Sequence, residues 1–283
     1  YPLFCTVAQT GQVLDVLHRC GNVHDSNGAE AFITECIAQV RSVLPKTVLE
    51  VRMDGAFFSD ALVTMLEANH VEYTISVPFE RLVELKNIIA TRQRWCPMSE
   101  SCAYFELLWK PKSWEQRRRF LFIRTQARQQ RKEPVQLDLF TPYEYGYEFK
   151  VIITNKPLRA RKVVMFHQGR GAQEGLFAEL KSDNQMDYIP TRTWLGNQVY
   201  LLSVLFAHNL ARELQMIADP PPRLTSEKRP ALWDFMRLGT LRSLFIQRAG
   251  RLIRPQGQLI LSMSANQPLR NALLHYLHAL RAA

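Results

Sequence analysis

Residues 165–181 read Met-Phe-His-Gln-Gly-Arg-Gly-Ala-Gln-Glu-Gly-Leu-Phe-Ala-Glu-Leu-Lys. Laid out as a helix at about 100° per residue with His167 at zero, Arg170 falls at about −60°, Glu174 at about −20° and Lys181 at about −40°. One carboxylate, two bases and an imidazole then share a narrow stripe. Gln173, Leu176, Phe177 and Leu180 take the side that would pack on a core. Glu179, at about +120°, points well off the stripe. A carboxylate flanked by Arg and Lys suits a site for a metal ion and a phosphate. The carboxylate oxygens hold the cation and the bases meet the phosphate oxygens. The competing reading is a solvated amphipathic face, where most such charge stripes end up. Gly169 and Gly171 allow the helix to open only near Arg170, with His167 in the preceding turn.

A second acid stands out at Asp54. Residues 47–53 are short and β-branched, and they run into Asp54-Gly55. Ser59 caps a helix to about residue 69, and residues 71–77 form the next strand. This is a βαβ unit, whose strands should be parallel. Asp54 would then lie at the carboxyl end of a buried strand, where open α/β sheets place ligands. The plain alternative is a turn acid, since Asp-Gly is also a common turn pair.

The elements that must position these groups follow in order. Residues 3–8 and 13–18 read as a hairpin, and the chain opens in mid-strand without an initiator Met, so the expectation is that sequence precedes Tyr1. Asp25-Ser26-Asn27 caps a helix to residue 43 or 44, with Phe32, Cys36, Ile37 and Val40 on one face, and Pro45 stops it. Residues 78–159 are strongly basic and aromatic, with strands at 120–125 and 147–154, and read as a β-rich insertion. Bases interleaved with Trp95, Trp109 and Trp114 suit phosphate contacts and base stacking; a small aromatic core under a surface loop is the alternative. Thr193 starts an apolar helix over 194–216, within which 199–206 reads as buried. Pro220-Pro221-Pro222 breaks the chain. A helix is expected over 230–247, a short strand at 258–262 and a closing helix over 266–282.

The 283 residues can bury a sizeable core, and the net charge of +10 favours a polyanionic partner, with nucleic acid ahead of an acidic membrane surface. Five scattered cysteines with no C-x-x-C pair argue against a disulfide framework or a zinc ribbon and fit a reducing cytosol. No apolar run is long enough to span a bilayer, so the expected location is cytoplasmic.

The spacing His167-x2-Arg170-x3-Glu174-x6-Lys181 resembles the Tyr-x2-Arg-x3-Glu-x6-Lys signature of bacterial insertion-sequence transposases of the acidic-triad (DDE) type, with His in place of Tyr. The segment Val-Arg-Met-Asp54-Gly-Ala-Phe-Phe-Ser59 resembles the strand of that group that carries its second acid. The resemblance implies an α/β fold: a ribonuclease-H-like mixed sheet flanked by helices, with a β-rich insertion and a C-terminal helical region. The expected divisions are 1–77 for the first part of the core, 78–159 for the insertion, 160–218 for the rest of the core and 219–283 for the C-terminal region. It implies Asp54 and Glu174 as catalytic, metal-binding acids holding two Mg²⁺ ions, with Mn²⁺ as a substitute. It implies His167, Arg170 and Lys181 as DNA contacts, double-stranded transposon-end and target DNA as partner, and a homodimer. It places the first acid on a strand ahead of the hairpin, so this stretch alone is expected to lack that acid and to be inactive by itself. The runner-up is a truncated or decayed transposase that only binds DNA; a ribonuclease-H-like resolvase comes third.

Overall fold

A computed structural model describes residues 2–19, 21, 27–127, 146–263 and 266–282. The chain forms two compact units: one spans residues 19–170, and the other combines 2–18 with 171–283.

The chain begins with a hairpin of the second unit, β1 (Leu3–Val7) and β2 (Gln12–Leu17), antiparallel with Leu3 opposite Leu17. Gly11 takes a left-handed φ of 61° at the turn, a conformation open to glycine without strain.

In the first unit, α1 (Ala29–Val43) buries Phe32, Ile33, Cys36 and Ile37 along one stripe. Its N-cap is Gly28. Of the expected capping residues, Asp25 and Ser26 lie outside the described residues. Strand β3 (Glu50–Met53) starts three residues after the expected position, because the chain is still turning out of α1: Thr47 N–H donates to Leu44 O. Helix α2 (Asp60–Ala68) is capped by Ser59, whose Oγ accepts the Leu62 N–H at 3.2 Å. Strand β4 (Glu72–Ser76) then pairs parallel to β3, which completes the βαβ unit.

Helix α3 (Val83–Thr91), which the sequence reading did not anticipate, leads into β5 (Cys96–Ser99), β6 (Cys102–Trp109), β7 (Arg118–Gln126) and β8 (Tyr147–Thr154). These strands are continuous with the βαβ unit. They form one six-stranded mixed sheet in the order β3-β4-β8-β7-β6-β5, with β8 antiparallel to β4. One face is aromatic. Phe105 stacks on Phe122 at 4.4 Å, and Phe58 lies between Trp114 and Phe120. Trp114 is buried there, against Phe58 and under the Arg118 guanidinium, so it offers no surface to a base. That corrects its candidacy for stacking. The other face packs Leu121, Ile123 and Ile152 against Ala160, Val163 and Val164 of α4 (Ala160–Gln168).

The stretch expected as one helix over 165–181 is two. After α4, a single 3-10 turn spans Gly169–Gly171, and α5 (Ala172–Asn184) follows. Two glycines two residues apart weaken the helix there. The wheel drawn through His167 and Glu174 therefore does not hold.

In the second unit, α5 packs with α6 (Trp194–Ala218) and the hairpin around Val13, Leu176, Leu180, Leu201, Val204 and Leu205. Asn209 of α6 pairs with the backbone of β2, accepting from Val13 N–H at 2.9 Å and donating to Val13 O at 2.8 Å. The helix is only half covered: Val199, Leu202 and Phe206 are exposed, which corrects the expectation that 199–206 is buried all round.

The helix expected over 230–247 is confined to α7 (Leu238–Leu241) and a π turn at Arg242–Ile246. Upstream, tertiary hydrogen bonds hold the chain extended: Met236 N–H donates to Gln215 Oε1, and Trp233 Nε1–H donates to Asp219 O. The hairpin β9 (Gly250–Ile253) and β10 (Ile260–Met263) precedes α8 (Gln267–Ala282). Among the described residues, no helix is long and apolar enough to cross a membrane.

Candidate active site

Asp54 follows β3 directly and is half-buried. Its backbone is extended, and its Oδ1 accepts the Ala56 N–H at 3.0 Å, capping a 3-10 turn at Gly55–Phe57. That bond fixes the carboxylate at the strand end while using one oxygen; a carboxylate has a second with its own lone pairs. Asp54 forms no ion pair with a described residue.

Next to Asp54, one face of β3 and β4 carries a run of polar side chains beneath α4. Alternate residues of a strand share a face, here Glu50 and Arg52 on β3 and Glu72, Thr74 and Ser76 on β4. Lys156 is fully buried and ion-paired to both Glu50 and Glu72, and its Nζ lies 4.5 Å from the Phe166 ring centroid. Arg52 donates to Phe166 O at 3.1 Å, and burial pushes its guanidinium pKa down.

His167, in the last turn of α4, meets β4. Its Nδ1 is 3.0 Å from Thr74 Oγ1 and its Nε2 is 2.9 Å from Ser76 Oγ. Burial, and then the charges of Arg170, Arg52 and Lys150, lower its pKa to about 4. At neutral pH the ring is uncharged, with one nitrogen donating and the other accepting. Both ring nitrogens of His167, expected as a DNA contact, are engaged with hydroxyls of the sheet. Arg170, three residues on, is half-buried within the 3-10 turn.

In the second unit, Glu174 and Lys181 are exposed in the first and last turns of α5. Seven residues apart, they share one side of the helix, about 10 Å apart along its axis. The carboxylate also lies where the helix dipole favours negative charge. The opposite side buries Leu176, Glu179 and Leu180. Glu179 accepts from Arg212 at 2.5 Å and from Leu238 N–H at 2.9 Å. Sequence reasoning placed this acid off the charged stripe without assigning it a partner. Its place on the apolar side, between Leu176 and Leu180, was the available signal, because a buried carboxylate needs a buried partner.

Thus Asp54, His167 and Arg170 belong to the first unit, and Glu174 and Lys181 to the second. Among the described residues, no three His, Cys, Asp or Glu side chains gather into a metal-holding group. The donor chemistry of the two acids still suits a hard divalent cation, which takes carboxylate oxygens in preference to sulfur or imidazole.

A family model described as Transposase DDE domain group 1 matches residues 1–283. No curated protein matches the chain. The mixed sheet flanked by helices agrees with the ribonuclease-H-like fold of DDE transposases. With the match running the full length of the sequence, and with Asp54 closing a strand of that sheet, the chain belongs to the Transposase DDE domain group 1 family.

Proposed function

We propose that this chain cleaves DNA phosphodiesters at transposon ends and joins them to target DNA, with Asp54 and Glu174 as two of its metal-binding acids. One observation carries the reading: Asp54 is held by its own turn at the carboxyl end of β3, in a chain matched throughout by a DDE transposase family. Two Mg²⁺ ions, or Mn²⁺ in their place, would supply Lewis-acid activation of the attacking water or 3′-hydroxyl and neutralise charge on the leaving oxygen.

The chain's own groups have distinct tasks. The Asp54 carboxylate is kept oriented by the Ala56 N–H, so it need not reorganise to meet a cation. Glu174 presents an exposed carboxylate at a helix start. Arg170 and Lys181 meet non-bridging phosphate oxygens, the guanidinium through paired N–H donors and the ammonium as a point charge. His167 acts behind Arg170: bound to Thr74 and Ser76, it anchors the end of α4 from which the Arg170 turn departs.

The test is Mg²⁺-dependent nicking of transposon-end DNA by the protein expressed from its complete reading frame. Asp54→Ala and Glu174→Gln should each abolish nicking while DNA binding persists. Wild-type nicking in either variant overturns that assignment. Salt-dependent DNA binding without any nicking by the unaltered protein favours the alternative, a protein that only binds DNA.

A further inference from the structure

From residue 235 to the end, the chain carries seven arginines and no Asp, Glu or Lys. Two of the seven serve the fold: Arg237 pairs with the Asp183 carboxylate, and Arg242 donates to the Asp183 carbonyl. Three more, Arg248, Arg251 and Arg254, lie on and beside the β9–β10 ribbon, and all three are exposed. None of the three forms an ion pair with a described residue.

The ribbon itself is unusual. Leu252 and Leu261 face each other across it at 71% and 60% exposure, and Ile253 and Ile260 do the same on the other side at 42% and 40%. Among the described residues, the leucine face is largely bare and the isoleucine face only partly covered. Its turn is tight, with Pro255 followed by Gln256 and Gly257 at φ 52° and 82°. An isolated two-stranded hairpin is marginal in water, so a ribbon with its leucine side this exposed is suited to being held by a partner. The partner's chemistry follows from the charge. It must offer a dense array of anions and tolerate apolar side chains between the arginines.

We propose that the β9–β10 ribbon is a DNA-binding arm that lies in the major groove of duplex DNA. A two-stranded ribbon fits that groove. Arg248, Arg251 and Arg254 meet backbone phosphates, and the aliphatic side chains lie against sugars and base edges, including thymine methyls. Neither Asp54 nor Glu174 is part of the ribbon. The inference rests on DNA being the partner, as the family implies, and not on which acids hold metal.

The experiment titrates the whole 283-residue chain onto a fluorescent random-sequence duplex at a series of salt concentrations. In the triple variant Arg248→Gln/Arg251→Gln/Arg254→Gln, the slope of log affinity against log salt should become shallower by roughly 2–3, since each phosphate contact contributes about 0.9. The corresponding triple Lys variant should keep most of the slope. The sites are exposed, so the thermal midpoint of both variants should match the parent. An unchanged slope in the Gln variant overturns the arm. So does loss of binding to anionic phospholipid vesicles in that variant while duplex binding stays the same. Glu174→Gln, run alongside, should leave the slope unaltered, so failure of the metal-site assignment would be seen separately, in nicking.

Discussion

The Nε2 of His167 sits 2.9 Å from the Ser76 hydroxyl, so the last turn of α4 is fastened to β4 by an uncharged ring. Thr74, two residues earlier on the same strand face, holds the other nitrogen at 3.0 Å. The fastening depends on neutrality, because an imidazolium there would face Arg170, Arg52 and Lys150.

That dependence sets a pH window. The folded pKa of about 4 lies below the ordinary 6.5. The unfolded chain therefore takes up the proton first as pH falls. The contribution to stability is complete above the ordinary value and is lost as pH drops from there towards the folded value, by on the order of 3 kcal/mol. Urea unfolding across this window should show the loss in the parent and a flatter profile in His167→Gln.

Asp54→Asn and Asp54→Ala should separate structure from chemistry. The amide oxygen of Asn can still accept the Ala56 N–H, so stability should stay within about 0.5 kcal/mol while nicking is lost. Ala removes the acceptor and should cost about 1 kcal/mol as well. Denaturation midpoints and nicking, measured on the same preparations, check both.

The two acids of α5 should behave in opposite ways. Glu174 is exposed, and Glu174→Gln should leave the unfolding free energy within about 0.5 kcal/mol of the parent. Glu179→Ala leaves the buried Arg212 guanidinium without its carboxylate and should destabilise by about 3–5 kcal/mol. Equal stability losses in the two variants would contradict the assigned sides of the helix.

Lys156→Met should destabilise by a similar amount, about 3–5 kcal/mol, because Glu50 and Glu72 would then face each other across β3 and β4 without the cation between them. Adding Glu50→Gln should recover part of the loss, which thermal unfolding can read.

Arg170→Ala should weaken duplex binding and reduce its salt slope by about 1, as expected for one lost phosphate contact. A slope identical to the parent's would remove Arg170 from the DNA surface.

Much of this was legible in the residues. Strand β8 falls at residues 147–154, as its alternation indicates, and the βαβ unit with Asp54 at its strand end follows from β-branched runs and the Ser59 cap. Three features were not legible, each because distant partners outweighed local pattern. Residues 230–237 look helical, yet Gln215 and Asp219 of α6 and its C-cap capture their polar groups. Trp114 sits in a basic, surface-like sequence but is drawn under by Phe58. The stripe drawn from His167 to Lys181 assumed an unbroken helix, whereas the Gly169–Gly171 turn interrupts it and the Thr74 and Ser76 hydroxyls claim the imidazole.

The seating of β8 beside β4 also governs the order of assembly. Thr74 is opposite Thr154, so the second edge of β4 closes only after the intervening strands have been made. Loops of that span are slow to close, and pairings this far apart in sequence go with sluggish folding. A ribosome-bound chain that has emerged only through β7 would present β4 with an open ladder, and that interval is when chaperone capture or self-association would compete with productive folding.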